Sequence, residues 1–202
     1  MAGSEAVSEE ATVPETPPAR QTAVTRAIRE LEQHVAGDGW DAPVRLFALV
    51  RTAGAIQGDP ALASQLPPEV VAAARADTEH LTAVEQEGLP EVDSLEDLLA
   101  QISWPPAVDG VAVVVERLVL STAAEAEVAA AAREEHLEQE QTAIRLAQHP
   151  DRRDLRLAAG VLRDGTSGCA VRARDFDDDD RVAVGPHLIP NLVAALRTTL
   201  DD

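Results

Sequence analysis

The stretch VAVVVERLVL, residues 111–120, constrains the fold of this chain more than any other segment. It is the longest strand-like run, and its first five residues are apolar on both faces. Strands of that kind are covered on both sides and lie inside a sheet. Glu116-Arg117 then interrupts the run. A charge buried in a central strand needs a partner, or it costs several kcal/mol. Antiparallel pairing with the next clear strand makes Arg163 or Asp164 the expected partner. Two readings stay open here: the strand has reached the sheet edge, or a polar pocket opens at that end, with Trp104 nearby.

The rest of the core must be aliphatic, because hydrophobic residues make up 45% of the 202 residues and aromatic ones only 2%. All 17 basic residues are arginine, and the formal charge is -19. A chain so acidic repels phosphate backbones and anionic lipid surfaces, which argues against nucleic-acid partners. The N-terminal MAGSEAVSEEATVPETPPAR carries acids where a secretion signal carries bases. The strongest apolar run, Val111 to Val115, is far short of the roughly 20 residues a membrane-spanning helix needs. A cytoplasmic protein without membrane insertion is expected. Its one cysteine excludes an internal disulfide framework and cysteine-rich zinc sites.

Residues 1–20 are small, acidic and proline-bearing, and are read as a disordered tail. The remainder, 21–202, reads as one domain. Val24, Ile28, Leu31 and Val35 mark a helix face that GDG at 37–39 ends. Residues 44–51, VRLFALVR, alternate as a strand. Asp59-Pro60 and Pro67-Pro68 open short helices, and 80–87 is a weak strand. Ser94 and Asp97 form a capping box ahead of Leu95, Leu98, Leu99 and Ile102. Residues 122–146 have high helix propensity but a mostly alanine apolar face; they are expected to form a partly helical, partly mobile excursion. Leu155 to Val161 and Cys169 to Ala173 form a hairpin about DGTSG, with Arg156, Arg172 and Arg174 pointing away from its apolar face. The DFDDDD run, 175–180, reads as a solvated loop, and Leu188 to Leu200 as a C-terminal helix. Mixed helices and strands without a βαβ repeat predict an α+β fold: a mostly antiparallel sheet with helices on one face and the terminal helices flanking it.

The familiar catalytic patterns fail on inspection. Gly165-Thr166-Ser167-Gly168 lacks the spacing of a nucleophile elbow and is followed by a strand, not a helix. A P-loop needs a lysine. Cys169 lies on an apolar strand face, where a thiol is inert. Asp175, Asp177 and Asp179 could open a calcium loop, but Asp180 and Pro186 stand where glycine and glutamate are required. His34, His80, His136, His149 and His187 form no zinc motif, and His136 with Glu140 supplies only two ligands. No metal or other cofactor is expected.

The blocks WDAPVRLFALVRTA, LTAVEQEGLP, ISWPPAVDG, VVERLVL, HPDRRDLRLAAGVLRDG and GPHLIPNLVAALRTTL occur in this order. Together they resemble an actinobacterial protein family of unknown function, over residues 21 to 202 except the alanine-glutamate excursion. The resemblance implies an accessory role and hands over no catalytic residue. The element order also looks like the secretion-chaperone-like α+β fold, whose members bind other proteins.

These readings converge on a non-enzymatic interaction or chaperone-like protein whose partner is another protein with a basic surface; pairing with a second copy stays open. The alternative is a small-molecule site or weak hydrolase built from Glu116, Arg117 and Arg163, with Trp104 and Asp164 as neighbours.

Overall fold

The computed structural model describes residues 18–90 and 92–201. The expected disordered tail falls mainly outside them, and helix begins at Pro18, ahead of the expected Gln21. Helix α1 (Pro18–Ala36) leads into β1 (Arg45–Arg51), α2 (Thr52–Gly58), a 3-10 turn over Pro60–Ser64, α3 (Pro68–Ala76) and β2 (Leu81–Glu85). Then come α4 (Leu95–Leu99), β3 (Gly110–Val119), α5 (Thr122–Glu134), α6 (Gln139–Ala147), β4 (Arg153–Leu162), β5 (Ser167–Ala173), β6 (Ala183–Gly185) and α7 (Pro190–Thr198). The six strands form one antiparallel sheet in the order β2-β1-β3-β4-β5-β6.

The α+β class, the antiparallel sheet and the flanking terminal helices are as the sequence predicts. The layering differs in one respect: helices cover both faces. Alternation along the central strands splits the core in two. Phe47, Leu49, Ala112, Val114, Ala158, Leu162 and Ala170 face α1, through Val24, Ile28, Leu31 and Val35. Leu46, Ala48, Val111, Val113, Val115, Ala159, Val161 and Cys169 face α4, Trp104 and α7. The physical reason lies in the central strands themselves, which are apolar on both sides and need two covers.

Helix α1 sits close because the sheet makes room for it. Gly160 and Gly168 are cross-strand partners on β4 and β5. A Cβ on Gly160 would stand 2.4 Å from Ile28 Cδ1, and one on Gly168 would stand 3.0 Å from Val24 Cγ1. The hairpin turn beside them uses Gly165 at φ +88, a conformation glycine adopts without strain.

Local signals set most boundaries. Asp59 accepts from Ala61 N, and Ser94 Oγ accepts from Asp97 N, as capping residues do. The excursion forms two helices, α5 and α6, which pack on each other. It occupies the position of a hairpin loop, because Val119 and Arg153 are directly paired at the ends of β3 and β4. Among the described residues no helix is long and apolar enough to cross a membrane.

Candidate functional site

A row of charged side chains crosses the three central strands at one level. Glu116 pairs with Arg156, and Arg156 pairs with Arg172. All three project from the α1 face, because they keep step with Val114, Ala158 and Ala170. Two guanidinium groups side by side repel each other, and Glu32 of α1 is set down between them. Arg172 Nε donates to Glu32 Oε1 at 2.6 Å and Nη2 to Oε2 at 2.8 Å. Arg156 Nη1 lies 3.7 Å from Glu32 Oε1, and Nη2 donates to Glu116 Oε1 at 3.0 Å and to the Gly39 carbonyl. Glu32 and Arg156 are fully buried, and Arg172 nearly so. Arg156 Nε has no hydrogen-bond acceptor among the described residues.

The loop after α1 closes over this row. The Arg156 guanidinium stacks 4.3 Å from the Trp40 ring, with Arg174 at 5.4 Å; such stacking suits the planar guanidinium. Trp40 Nε1 donates to Asp177 Oδ2 at 2.9 Å, and Asp41 holds Arg174 through both carboxylate oxygens. Arg172 donates outward to Asp177 at 3.2 Å and Asp179 at 2.5 Å. The acidic run is therefore more than a solvated loop: two of its aspartates strap it to the sheet. Hydrogen bonding to Glu32 above all, and then to Asp179, pushes the Arg172 guanidinium further into its charged form.

The structure disperses the residues expected to form one polar pocket. Glu116 accepts from Arg156 and, at 2.7 Å, from Asp41 N. Its partner is thus Arg156 and not Arg163 or Asp164, because the register sets residue 116 opposite residue 156. Arg117 projects from the opposite face, in step with Val113 and Val115. Arg163 lies beyond the other end of β4, where Leu162 pairs with Gly110. There its Nε donates to Val108 O at 2.9 Å, Nη1 to Leu200 O at 2.5 Å and Nη2 to Trp104 O at 3.0 Å. It ties the entry to β3 to the end of the C-terminal helix.

Trp104 is buried, and its Nε1 donates to Thr199 Oγ1 at 3.1 Å. Asp164 accepts from Arg20 Nη1 at 2.6 Å and from Thr166 N at 2.9 Å. Burial pushes its carboxyl up, but these bonds together hold it below the usual range. Trp104, Arg163 and Asp164 are therefore structural ties at one end of the sheet. Glu116 and Arg117 stand at the other end, back to back.

The sequence places Arg156 and Arg172 away from the hairpin's apolar face, as found, but names no partner for them there; they are buried under α1. The available signal was Glu32, which falls on the apolar stripe of α1, four residues after Ile28 and three before Val35. A carboxylate in that position requires buried cations beneath it.

The second feature lies on the face that Arg117 points to. A groove of about 550 Å³ runs beside α4, lined by Pro43, Val44, Leu89, Val92, Ser94 and Arg117 among others. It adjoins a smaller, more apolar pocket of about 220 Å³ between α4 and α7, lined by Leu95, Leu99, Val115, Leu157, Leu192 and Ala195. Arg117 borders both. Among the described residues no three His, Cys, Asp or Glu side chains converge to hold a metal ion. Cys169 is buried, and that burial pushes its thiol up.

Fold and site together define an α+β protein with a six-stranded antiparallel sheet between helical layers, a buried ionic row on one face and a groove on the other. The chain belongs to the family of PPA1309-like proteins, whose family model matches residues 24–201. No curated protein and no solved structure matches the chain.

Proposed function

We propose that this chain is a non-catalytic interaction module, a chaperone-like accessory protein of the actinobacterial cytoplasm, and that it docks a protein with a basic surface through residues 120–152. The observation that carries this reading is the place and character of that excursion. Val119 and Arg153 are already paired, so a loop of about two residues would close the hairpin. Two helices stand there instead. Binding residues are disproportionately carried by connecting segments held on a rigid scaffold.

The excursion is built to meet something. No residue of α6 is buried, and Ile144 is 50% exposed although it lies on the apolar side of an amphipathic helix. Glu125, Glu127, Glu134, Glu138 and Glu140 are exposed, while Arg145 is already held by Glu135 at 2.8 Å. An acidic surface of this kind steers basic partners and speeds their association in a salt-dependent way.

The test compares the full chain with a variant in which Asn-Gly replaces residues 120–152. Both are used as bait in a cross-linking pull-down at low and at high ionic strength. The expected result is a basic protein held by the full chain at low salt, lost at high salt and absent with the variant. Identical captures by the two baits would overturn the proposal.

A further inference from the structure

The groove bordered by Arg117 has a composition that selects its occupant. Its inner pocket, about 220 Å³, is lined mainly by aliphatic side chains from α4, α7 and the sheet, with Glu96, Asn191 and Arg117 completing the wall. That is smaller than the roughly 300–1,000 Å³ of typical small-molecule sites, and it suits one aliphatic side chain. At the mouth stands Arg117. Most arginines of this chain that line clefts are spent on carboxylates or carbonyls; Arg117 makes no ion pair among the described residues. Its one hydrogen bond is a 3.5 Å donation to the carbonyl of Glu116. Glu116 itself cannot neutralise it, because that side chain lies across the sheet against Arg156. The adjoining outer groove is wider, about 550 Å³; Asp93 lines it, and Glu96 lines both it and the inner pocket, neither with a salt bridge among the described residues.

The site is thus a mainly apolar pocket and a wider trough that share one cation, Arg117, and one acid, Glu96, with Asp93 on the trough alone. We infer that this groove is a docking site for the C-terminus of a partner protein, with the terminal carboxylate on Arg117, the last aliphatic side chain between α4 and α7, and a basic residue upstream against Asp93 and Glu96. Each part answers a different part of the site. A guanidinium presents paired donors that match a carboxylate, and capture of a C-terminal carboxylate is a recurring mode of peptide recognition. A simple aliphatic acid would fill the pocket and satisfy Arg117, but it would leave the trough and both acids without a counterpart. A basic residue upstream is also the chemistry that a chain of formal charge -19 attracts.

The inference rests on reading the protein as an interaction module, but it uses a surface separate from α5 and α6, so the two can fail separately. The test is fluorescence anisotropy with a pool of labelled hexapeptides that end in Val, Ile or Leu and carry arginine at two upstream positions. The same pool with amidated C-termini, a pool with serine in place of arginine, and unlabelled octanoate complete the set. The free-acid pool is expected to bind about tenfold more tightly than the amidated pool, which corresponds to about 1.4 kcal/mol. Arg117→Gln should remove that difference and leave the weak binding of the amidated pool unchanged. Arg117 is exposed, so this variant is expected to keep the wild-type circular dichroism spectrum. Glu96→Gln combined with Asp93→Asn should weaken the arginine pool and not the serine pool. The variant with Asn-Gly in place of residues 120–152 should bind the free-acid pool as wild type does, whatever its effect on capture of a whole protein. The inference is overturned if no pool binds up to about millimolar concentration, if acid and amide bind alike, or if Arg117→Gln changes nothing. Octanoate binding as tightly as the peptides, with no preference for upstream arginine, would overturn the peptide assignment in favour of an aliphatic acid.

Discussion

Replacing Glu32 with glutamine tests the buried ionic row directly, because the side chain keeps its shape and loses its charge. In the folded protein one carboxylate faces two guanidinium groups: it accepts from Arg172 at 2.6 and 2.8 Å and lies 3.7 Å from Arg156. Glu32 and Arg156 are 0% exposed and Arg172 is 3% exposed, so water cannot take over. Removing one partner from a buried pair costs about 3–5 kcal/mol. The lower end applies here, because Arg172 keeps Asp177 and Asp179, and Arg156 keeps Glu116. A loss of about 3 kcal/mol is expected, against under about 0.5 kcal/mol for an ordinary surface substitution. For a chain of this size that lowers Tm by roughly 6–12 °C. Urea unfolding followed by circular dichroism measures it. Adding Arg172→Met should restore part of the loss, since a cation that has lost its buried partner, and keeps only the exposed Asp177 and Asp179, is then replaced by an apolar side chain. A cost below about 1 kcal/mol for Glu32→Gln, or a double variant worse than the sum of the two singles, would refute the reasoning.

Other outcomes follow from the same structure. Asp41, Asp77 and Glu85 are held below the usual carboxylate range by Arg174, Arg26 and Arg45 respectively. Their contribution to stability is therefore complete above the ordinary values of 3.8 for aspartate and 4.5 for glutamate. It is lost as pH falls from there through the lower folded-state values. Urea midpoints should drop across that window, and midpoints that stay level through it would contradict the assignment. Gly160→Ala should cost roughly 1–3 kcal/mol by overpacking, and Ile28→Val, which removes the atom 2.4 Å from the new Cβ, should recover part of it in a double variant; a neutral Gly160→Ala would show that α1 gives way freely. Cys169 should resist an aromatic disulfide reagent in the native protein and react on unfolding, since its buried thiol is pushed up; rapid native reaction would place it elsewhere. Excising residues 120–152 for Asn-Gly should remove helical signal and lower the entropic cost of closing the hairpin by roughly 2 kcal/mol, offset by loss of the buried Leu120, Ala124 and Val128, and loss of folding would show that α5 and α6 support the sheet.

How much of this was legible beforehand can be judged from particular residues. The strands at 111–119, 153–162 and 167–173, the first and last helices and the Ser94 cap all announce themselves through local patterns, because alternation, helical spacing and capping act over a few residues. Arg117 was named for a polar pocket with Glu116, Arg163 and Trp104; it borders a groove that contains none of those three. Glu116 was named too, but with the wrong partner. Arg163 and Asp164 were expected beside it and lie at the far end of β4. Register decides such pairings, and a shift of one residue exchanges the two faces of a strand.

By itself the sequence determined the α+β class, the aliphatic core and the acidic character, since composition and short-range periodicity set these. Only the tertiary structure decided that Glu32 sits between Arg156 and Arg172, that Glu116 and Arg117 part company across the sheet, and that α4 and α7 leave a groove between them. Those facts depend on strand register and on which helix covers which face. Both are settled by burial summed over the whole core, and no single segment encodes them.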